Sequence, residues 1–313
     1  MLIEGNALTE LSKLEAESID CCITSPPYYA LRDYKVEGQL GLEKTFQEYL
    51  DKLVEIFTEI KRVLKKSGTC WVVMGDSYNG TSKSLIMIPS RFTIQMIDAG
   101  WILRNDIIWN KPNCMPSSAK DRFTVDYEHI FFFTKSKKYY FKTQYEPLNW
   151  DSSRVTKRGY NQPKHTEAGV SRGALDNWKI NELGRIKRTV WKIPPKPFPE
   201  AHFAVFPEEL VRQCLDAGCP TQVCVKCGKP VVIEYDQQVP EYIRKQNPER
   251  NNNRMFGGVY QKWLNEHPPK PVVKSCNCNA GFKQGTVIDP FSGAGTTYKV
   301  ALETDRKSIG IEL

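Results

Sequence analysis

The sequence predicts an α/β protein built on an open, mostly parallel sheet, and three observations carry that expectation. β-prone runs alternate with helical periodicity over the first 75 residues and again from Gly285 to Leu313. Near the C-terminus a glycine-containing loop, Phe291-Ser292-Gly293-Ala294-Gly295, stands between a strand and a helix. A second marked loop, Thr24-Ser25-Pro26-Pro27-Tyr28, directly follows an apolar run, which is where such sheets place their ligands.

In chain order, Leu2 to Glu4 reads as a short strand, Leu8, Leu11 and Leu14 as a helix face, and Ile19 to Thr24 as a strand stopped by Pro26 and Pro27. Phe46, Tyr49, Leu50, Leu53, Phe57, Ile60 and Leu64 mark one face of a long helix closed by Gly68. Thr69 to Met74 is the next strand, Pro89 to Ala99 a helix and Ile102 to Trp109 another strand. Ile130 to Thr134 and Tyr139 to Phe141, joined by Lys135 to Lys138, are expected to form an antiparallel hairpin on the sheet edge. Phe206 to Leu215 returns to helix, and residues 219–284 form an insertion with two cysteine pairs.

The 313 residues suffice for one large domain with an insertion or for two domains. The start, MLIEGNALTELSKLE, is acidic where a secretory leader is basic and apolar, and no apolar run approaches the roughly 18 residues of a membrane span. A cytoplasmic protein without a membrane partner is expected. The net charge of +8 is concentrated: eleven basic and five acidic residues lie between Asp151 and Glu200, a net of +6 in that stretch. Such a segment suits an anionic partner.

The C-terminal loop follows the strand Thr286-Val287-Ile288-Asp289, and Glu312 closes the next strand 23 residues beyond Asp289. An acid at about that distance binds ribose hydroxyls in nucleotide-type folds, so an adenosine-containing ligand is indicated. Tyr298 occupies the third glycine position of the dinucleotide pattern and no Gly-Lys-Ser/Thr follows, which excludes NAD and ATP loops. In the other loop the prolines remove N–H donors and fix the turn. A backbone carbonyl beside the Ser25 hydroxyl then gives two acceptors for a planar exocyclic amine, and Tyr28 offers a stacking face. Cys224-x-x-Cys227 and Cys276-x-Cys278 can supply four thiolates to one tetrahedral zinc, closed and therefore structural; Cys214, Cys219 and His267 are spare ligands.

These runs, DPFSGAGTT with GIEL, TSPPYY, and IIWNKPN followed by DRFT and HIFFFTKS, resemble the beta-class DNA amino-methyltransferases over nearly the whole chain outside the cysteine insertion. The resemblance implies a circularly permuted Rossmann-like methyltransferase sheet with a basic target-recognition segment and a Cys-rich insertion; in that segment the Lys and Arg side chains would neutralise phosphates of double-stranded DNA, with Tyr160, Trp178 and Trp191 available to stack or wedge. It implies S-adenosyl-L-methionine as cofactor, lined by Asp289, Phe291, Gly293, Gly295, Thr296 and Glu312, with Gly5-Asn6 and Phe203 to Pro207 flanking it. Catalysis would fall to Ser25, Pro26, Pro27 and Tyr28, acting on a base flipped from duplex DNA. The expected division is a catalytic half (1–144), a target-recognition segment (145–200), a cofactor-flanking helix (201–218), a zinc-binding insertion (219–284) and a cofactor-binding half (285–313). A serine heading the motif is the family's more frequent choice for N4 of cytosine, an aspartate for N6 of adenine. C5 chemistry is disfavoured because no Pro-Cys dipeptide exists. The alternatives are adenine N6, a more distant RNA or protein-amide substrate, and an inactive zinc-dependent DNA-binding protein. A cognate restriction endonuclease and a second copy of the chain are the further candidate partners.

Overall fold

In the computed structural model, residues 1–146, 185–195, 206–236 and 270–313 are described. They fall into two compact units, one of residues 1–142, 188–231 and 275–313, the other of 143–187 and 232–274.

The first unit holds a sheet whose strands are β1 (Leu2–Glu4), β2 (Ile19–Thr24), β3 (Leu64–Met74), β4 (Ile102–Asn110), β5 (Tyr127–Thr134), β8 (Val190–Lys192), β13 (Thr286–Asp289) and β14 (Lys307–Glu312). Their spatial order is β1-β14-β13-β2-β3-β5-β4-β8, with β5 antiparallel to its neighbours β3 and β4 and the other pairs parallel. The chain therefore leaves β2 toward one edge and β13 toward the other. The joint between β2 and β13 is a topological switch point, the place where open α/β sheets open a crevice at their strand ends.

Alternation along β3 shows how the sheet is sandwiched. Cys70, Val72 and Met74 pack with α1 (Ala7–Ser12), α2 (Phe46–Val63) and α3 (Ile88–Asp98), while Trp71 and Val73 face α4 (Glu208–Gly218) and α5 (Thr296–Glu303). β2 is buried along its whole length, Asp20 and Thr24 included, because both its faces are covered. α2 starts at the Thr45 cap, whose hydroxyl accepts from the Glu48 N–H at 3.2 Å, and it buries Leu50, Leu53, Phe57 and Ile60. The helix ends at Val63 and β3 begins at Leu64, so Gly68 lies inside a strand and does not close the helix.

The expected edge hairpin is corrected. β5 lies inside the sheet between β3 and β4, and the edge is β8. Tyr139 to Phe141 form no strand; the backbone N–H of Tyr140 instead donates to the carbonyl of Ser67 at 2.9 Å, and the rings of Tyr139 and Phe141 pack on Phe132. A small antiparallel pair, β9 (Gln222–Cys224) with β12 (Phe282–Gln284), completes this unit. In the second unit the described elements are β6 (Tyr145–Glu146) paired with β7 (Arg185–Ile186), and β10 (Val232–Asp236) paired with β11 (Lys270–Lys274), both antiparallel. Among the described residues no helix is long and apolar enough to cross a membrane.

The end of α4 is locked to the sheet. The Thr69 hydroxyl donates to the carbonyl of Gly218 at 2.9 Å and receives the Trp71 indole N–H at 3.1 Å. A Cβ on Gly218 would stand 2.4 Å from Trp71 Nε1 and 2.6 Å from Thr69 Oγ1. Gly218→Ala is therefore expected to destabilise the fold by about 1–3 kcal/mol through overpacking. Urea unfolding checks this, and an unchanged midpoint would show that the Trp71 ring has room to retreat.

Candidate active site

The two marked loops meet at the β2–β13 joint. Asp289, at the end of β13, is fully buried, and its carboxylate accepts from the Thr24 hydroxyl at 2.6 Å, the Thr297 hydroxyl at 2.8 Å and the Phe291 N–H at 3.1 Å. Burial raises its pKa to about 6, against the lowering pull of those hydrogen bonds. Both oxygens are thus engaged inside the protein, so Asp289 ties the ends of β2 and β13 together and organises the loop.

The loop itself is open. Gly293 and Gly295 take left-handed φ values of 49° and 75°, and a Cβ on Gly293 would meet nothing within 4 Å. Glu312, at the exposed end of β14, accepts the Gly293 N–H at 2.6 Å through Oε2. Phe291 is half-buried and Thr296 buried at the start of α5. Ser292 Oγ is buried without a partner among the described residues. An uncovered glycine backbone leading into a helix N-terminus, with a carboxylate beside it, fits a ligand that carries ribose hydroxyls. Gly5, across β14 from this loop, donates its N–H to the Glu312 carbonyl at 2.7 Å, and Asn6 caps α1 through Leu8 and Thr9. Of the segment Phe203 to Pro207, residues 203–205 lie outside the described residues.

At the end of β2, Ser25 is half-buried and Pro26 buried. The Pro27 carbonyl is occupied by the Tyr49 hydroxyl at 2.8 Å, which fixes the turn from the α2 side. Tyr28 does not present a bare ring: its hydroxyl donates to Glu128 at 2.7 Å, and its ring fills the space over Gly75, where a Cβ would lie 2.8 Å from Tyr28 Cε2. Ser25 Oγ lies 3.4 Å from the same hydroxyl. The other Glu128 oxygen pairs with Lys111, whose ammonium sits 4.3 Å from the centre of the Trp109 ring. Sequence reasoning does not single out Glu128. It lies at the start of β5, and only the antiparallel pairing that sets Met74 opposite His129 brings it beside the end of β3.

Cys224, Cys227, Cys276 and Cys278 converge, with their sulfur atoms all within 4.8 Å of one another. The pairing of Cys224 with Phe282 across β9 and β12 brings the distant pairs together, and a tight turn closes the first pair: Gly228, at φ 66°, donates its N–H to the Cys224 carbonyl at 2.9 Å. Backbone N–H groups of the turn hold the Cys224 thiol below its usual range, whereas neighbouring thiols push Cys278 up. Four crowded sulfurs of this kind can all ionise only beside a cation, so the donor set fits a tetrahedral metal. The spare ligands separate: Cys214 and Cys219 are buried in the sheet's core, and His267 lies outside the described residues.

Most of the basic segment, with Tyr160 and Trp178, lies outside the described residues. Trp191 is corrected as a stacking candidate, since it is 8% exposed in β8 and its indole N–H donates to the Arg188 carbonyl at 2.9 Å.

Comparison with known proteins matches this architecture to one family. The N6_N4_Mtase family of DNA methylases matches residues 19–225 and 236–313. The type II methyltransferase M.XycI of Xanthomonas campestris pv. cyanopsidis is 39% identical over 244 residues, 69% of this chain and 72% of that protein. M.SmaI of Serratia marcescens is 31% identical over 339 residues, covering 100% of this chain and 86% of that one. Among solved structures, the PvuII DNA methyltransferase (cytosine-N4-specific) has the same fold, with a TM-score of 0.59 at 18% identity over 100% of this chain and 81% of its own. A DNA modification methylase of Thermus thermophilus, solved with S-adenosyl-L-methionine, has a TM-score of 0.51 at 21% identity, over 100% of this chain and 88% of its own. The matched stretches carry both loops of the β2–β13 joint, and this chain belongs to the N6_N4_Mtase family as a DNA methyltransferase of the amino-methylating type.

Proposed function

We propose that this DNA methyltransferase modifies N4 of cytosine in duplex DNA, with S-adenosyl-L-methionine as methyl donor. The observation that carries the reading is Ser25 at the head of the β2 loop, held next to the glycine loop by the Thr24–Asp289 hydrogen bond. Gly293, Gly295, Phe291 and Thr296 would hold the donor, and Glu312, whose Oε2 is taken by Gly293, would offer Oε1 to the ribose. When bound, the donor supplies an electrophilic methyl group on a sulfonium centre. The protein's part is then alignment. Ser25 Oγ and the Pro26 carbonyl accept the two hydrogens of the exocyclic amine, and the acceptance strengthens as the nitrogen gains positive charge, which raises rate and not only binding. Adenine N6 is the competing product.

The basic segment 151–197 is the proposed DNA-recognition surface, on the strength of its net charge. The four cysteines are proposed to hold one structural zinc that joins the ends of the insertion, so that metal binding becomes local folding energy.

Four outcomes are expected. Ser25→Ala lowers the methylation rate on the order of 10²-fold while leaving cofactor affinity unchanged. Mass spectrometry of the digested product finds N4-methylcytosine; N6-methyladenine alone would overturn the base assignment, and a fully active Ser25→Ala enzyme the acceptor role. Glu312→Ala weakens S-adenosyl-L-methionine binding by about 1.5–3 kcal/mol in calorimetry, with an unchanged circular dichroism spectrum. Metal analysis of the purified protein finds one zinc per chain, and Cys227→Ser loses it; a metal-free wild type would reject the site.

A further inference from the structure

The polar chain Ser25–Tyr28–Glu128–Lys111 has a direction, and the direction matters. Lys111 engages one oxygen of Glu128, and a carboxylate in an ion pair can only accept hydrogen bonds. The Tyr28 hydroxyl, 2.7 Å from the other oxygen, must therefore give its single proton to the hydrogen bond with Glu128. Its oxygen is left able only to accept, and the group facing it is the Ser25 hydroxyl at 3.4 Å. Once the Ser25 proton is turned toward Tyr28, the serine lone pairs are what remains for the cleft. We propose that Glu128, fixed by Lys111, is a positioning residue that sets the donor direction of the Tyr28 and Ser25 hydroxyls, so that Ser25 meets the target amine as an acceptor.

An unwired serine hydroxyl rotates freely and can aim its proton at the nitrogen lone pair, which is the electron pair needed for attack. The rest of the neighbourhood serves the same constraint. Gly75 leaves room for the Tyr28 ring, since any Cβ there would also press on Glu128 Cγ at 3.3 Å. Burial and then the Glu128 charge push the Tyr28 phenol well above its usual range, so it stays a donor. Trp109 anchors the lysine from below, its own indole N–H bonded to the Ile193 carbonyl at 2.8 Å.

This inference rests on the acceptor role of Ser25, and the test separates the two. Steady-state methylation is measured for Glu128→Gln, Tyr28→Phe, the double variant, Glu128→Asp and Ser25→Ala, on unmethylated duplex DNA carrying the mapped site. The amide of Glu128→Gln can donate toward Tyr28 and reverse the chain. It is expected to lower kcat tenfold or more, with KM for DNA, cofactor affinity and melting temperature unchanged. Tyr28→Phe is expected to do the same. The double variant should be no worse than either single one, because a broken wire cannot be broken twice, and Glu128→Asp should recover part of the rate. A Glu128→Gln enzyme within twofold of wild type, or losses that multiply in the double variant, would overturn the wiring. If that occurs while Ser25→Ala is still impaired, only this inference falls; if Ser25→Ala is fully active, the site assignment falls with it.

Discussion

One buried carboxylate holds the chemistry together. Asp289 accepts from Thr24 on one side and from Thr297 and Phe291 on the other, so the last residue of β2, the turn after β13 and the first turn of α5 share a single anchor. An ionised group in so dry a place persists only when donors compensate its lost hydration, and here three donors engage both of its oxygens. The glycine loop can then stay uncovered, since its position is imposed from beneath and does not depend on side chains above it. Glu312 repeats the device at the rim, with Oε2 on the Gly293 N–H.

Both loops are legible in the sequence because each announces itself locally, by prolines that cannot sit in a central strand and by glycines that must take positive φ. The cysteine pairs are legible for a related reason: close spacing is already half a ligand set. The role of Asp289 is only half legible. An acid at a strand end is visible, but whether it faces a ligand or the interior depends on Thr24, which is 265 residues away. Glu128 is illegible in a stronger sense. In Tyr127-Glu128-His129 nothing distinguishes it from a surface acid, and its meaning comes from the register of β5 on β3. Tyr139 to Phe141 mislead for the opposite reason, since an aromatic run beside a strand has strand composition, yet the Tyr140 N–H finds the Ser67 carbonyl and the N–H of the following Lys142 that of Ala217. Trp191 carries the composition of a nucleic-acid contact and is core.

The cysteine cluster and the sheet are mechanically continuous. Phe282 to Gln284, which pairs with Gln222 to Cys224, runs into β13 after only Gly285, and Gly285 donates to the Thr221 carbonyl at 3.1 Å. A metal held there would clamp the root of the strand that presents the glycine loop, together with the chain leaving α4. Arg306, 4% exposed, adds a second brace by donating to the carbonyls of Cys219, Leu215 and Thr304. The floor of the cofactor-side loop is thus supported by contacts that lie outside both chemically marked motifs.

The pairing of β13 with β2 has a kinetic consequence as well. It joins segments about 266 residues apart, Cys21 with Val287, and closing a loop tenfold longer adds roughly 2 kcal/mol of entropic cost. Contacts of such separation form late, after helices and hairpins have met their own smaller costs. During synthesis, β2 emerges long before β13 exists, and an apolar strand with one unpaired side must wait. A partly made chain can therefore hold the TSPPY turn without its neighbour, and so can bury nothing at the β2–β13 joint. The β2–β13 joint, and with it the meeting of the two marked loops, can therefore be completed only once the C-terminal strand exists.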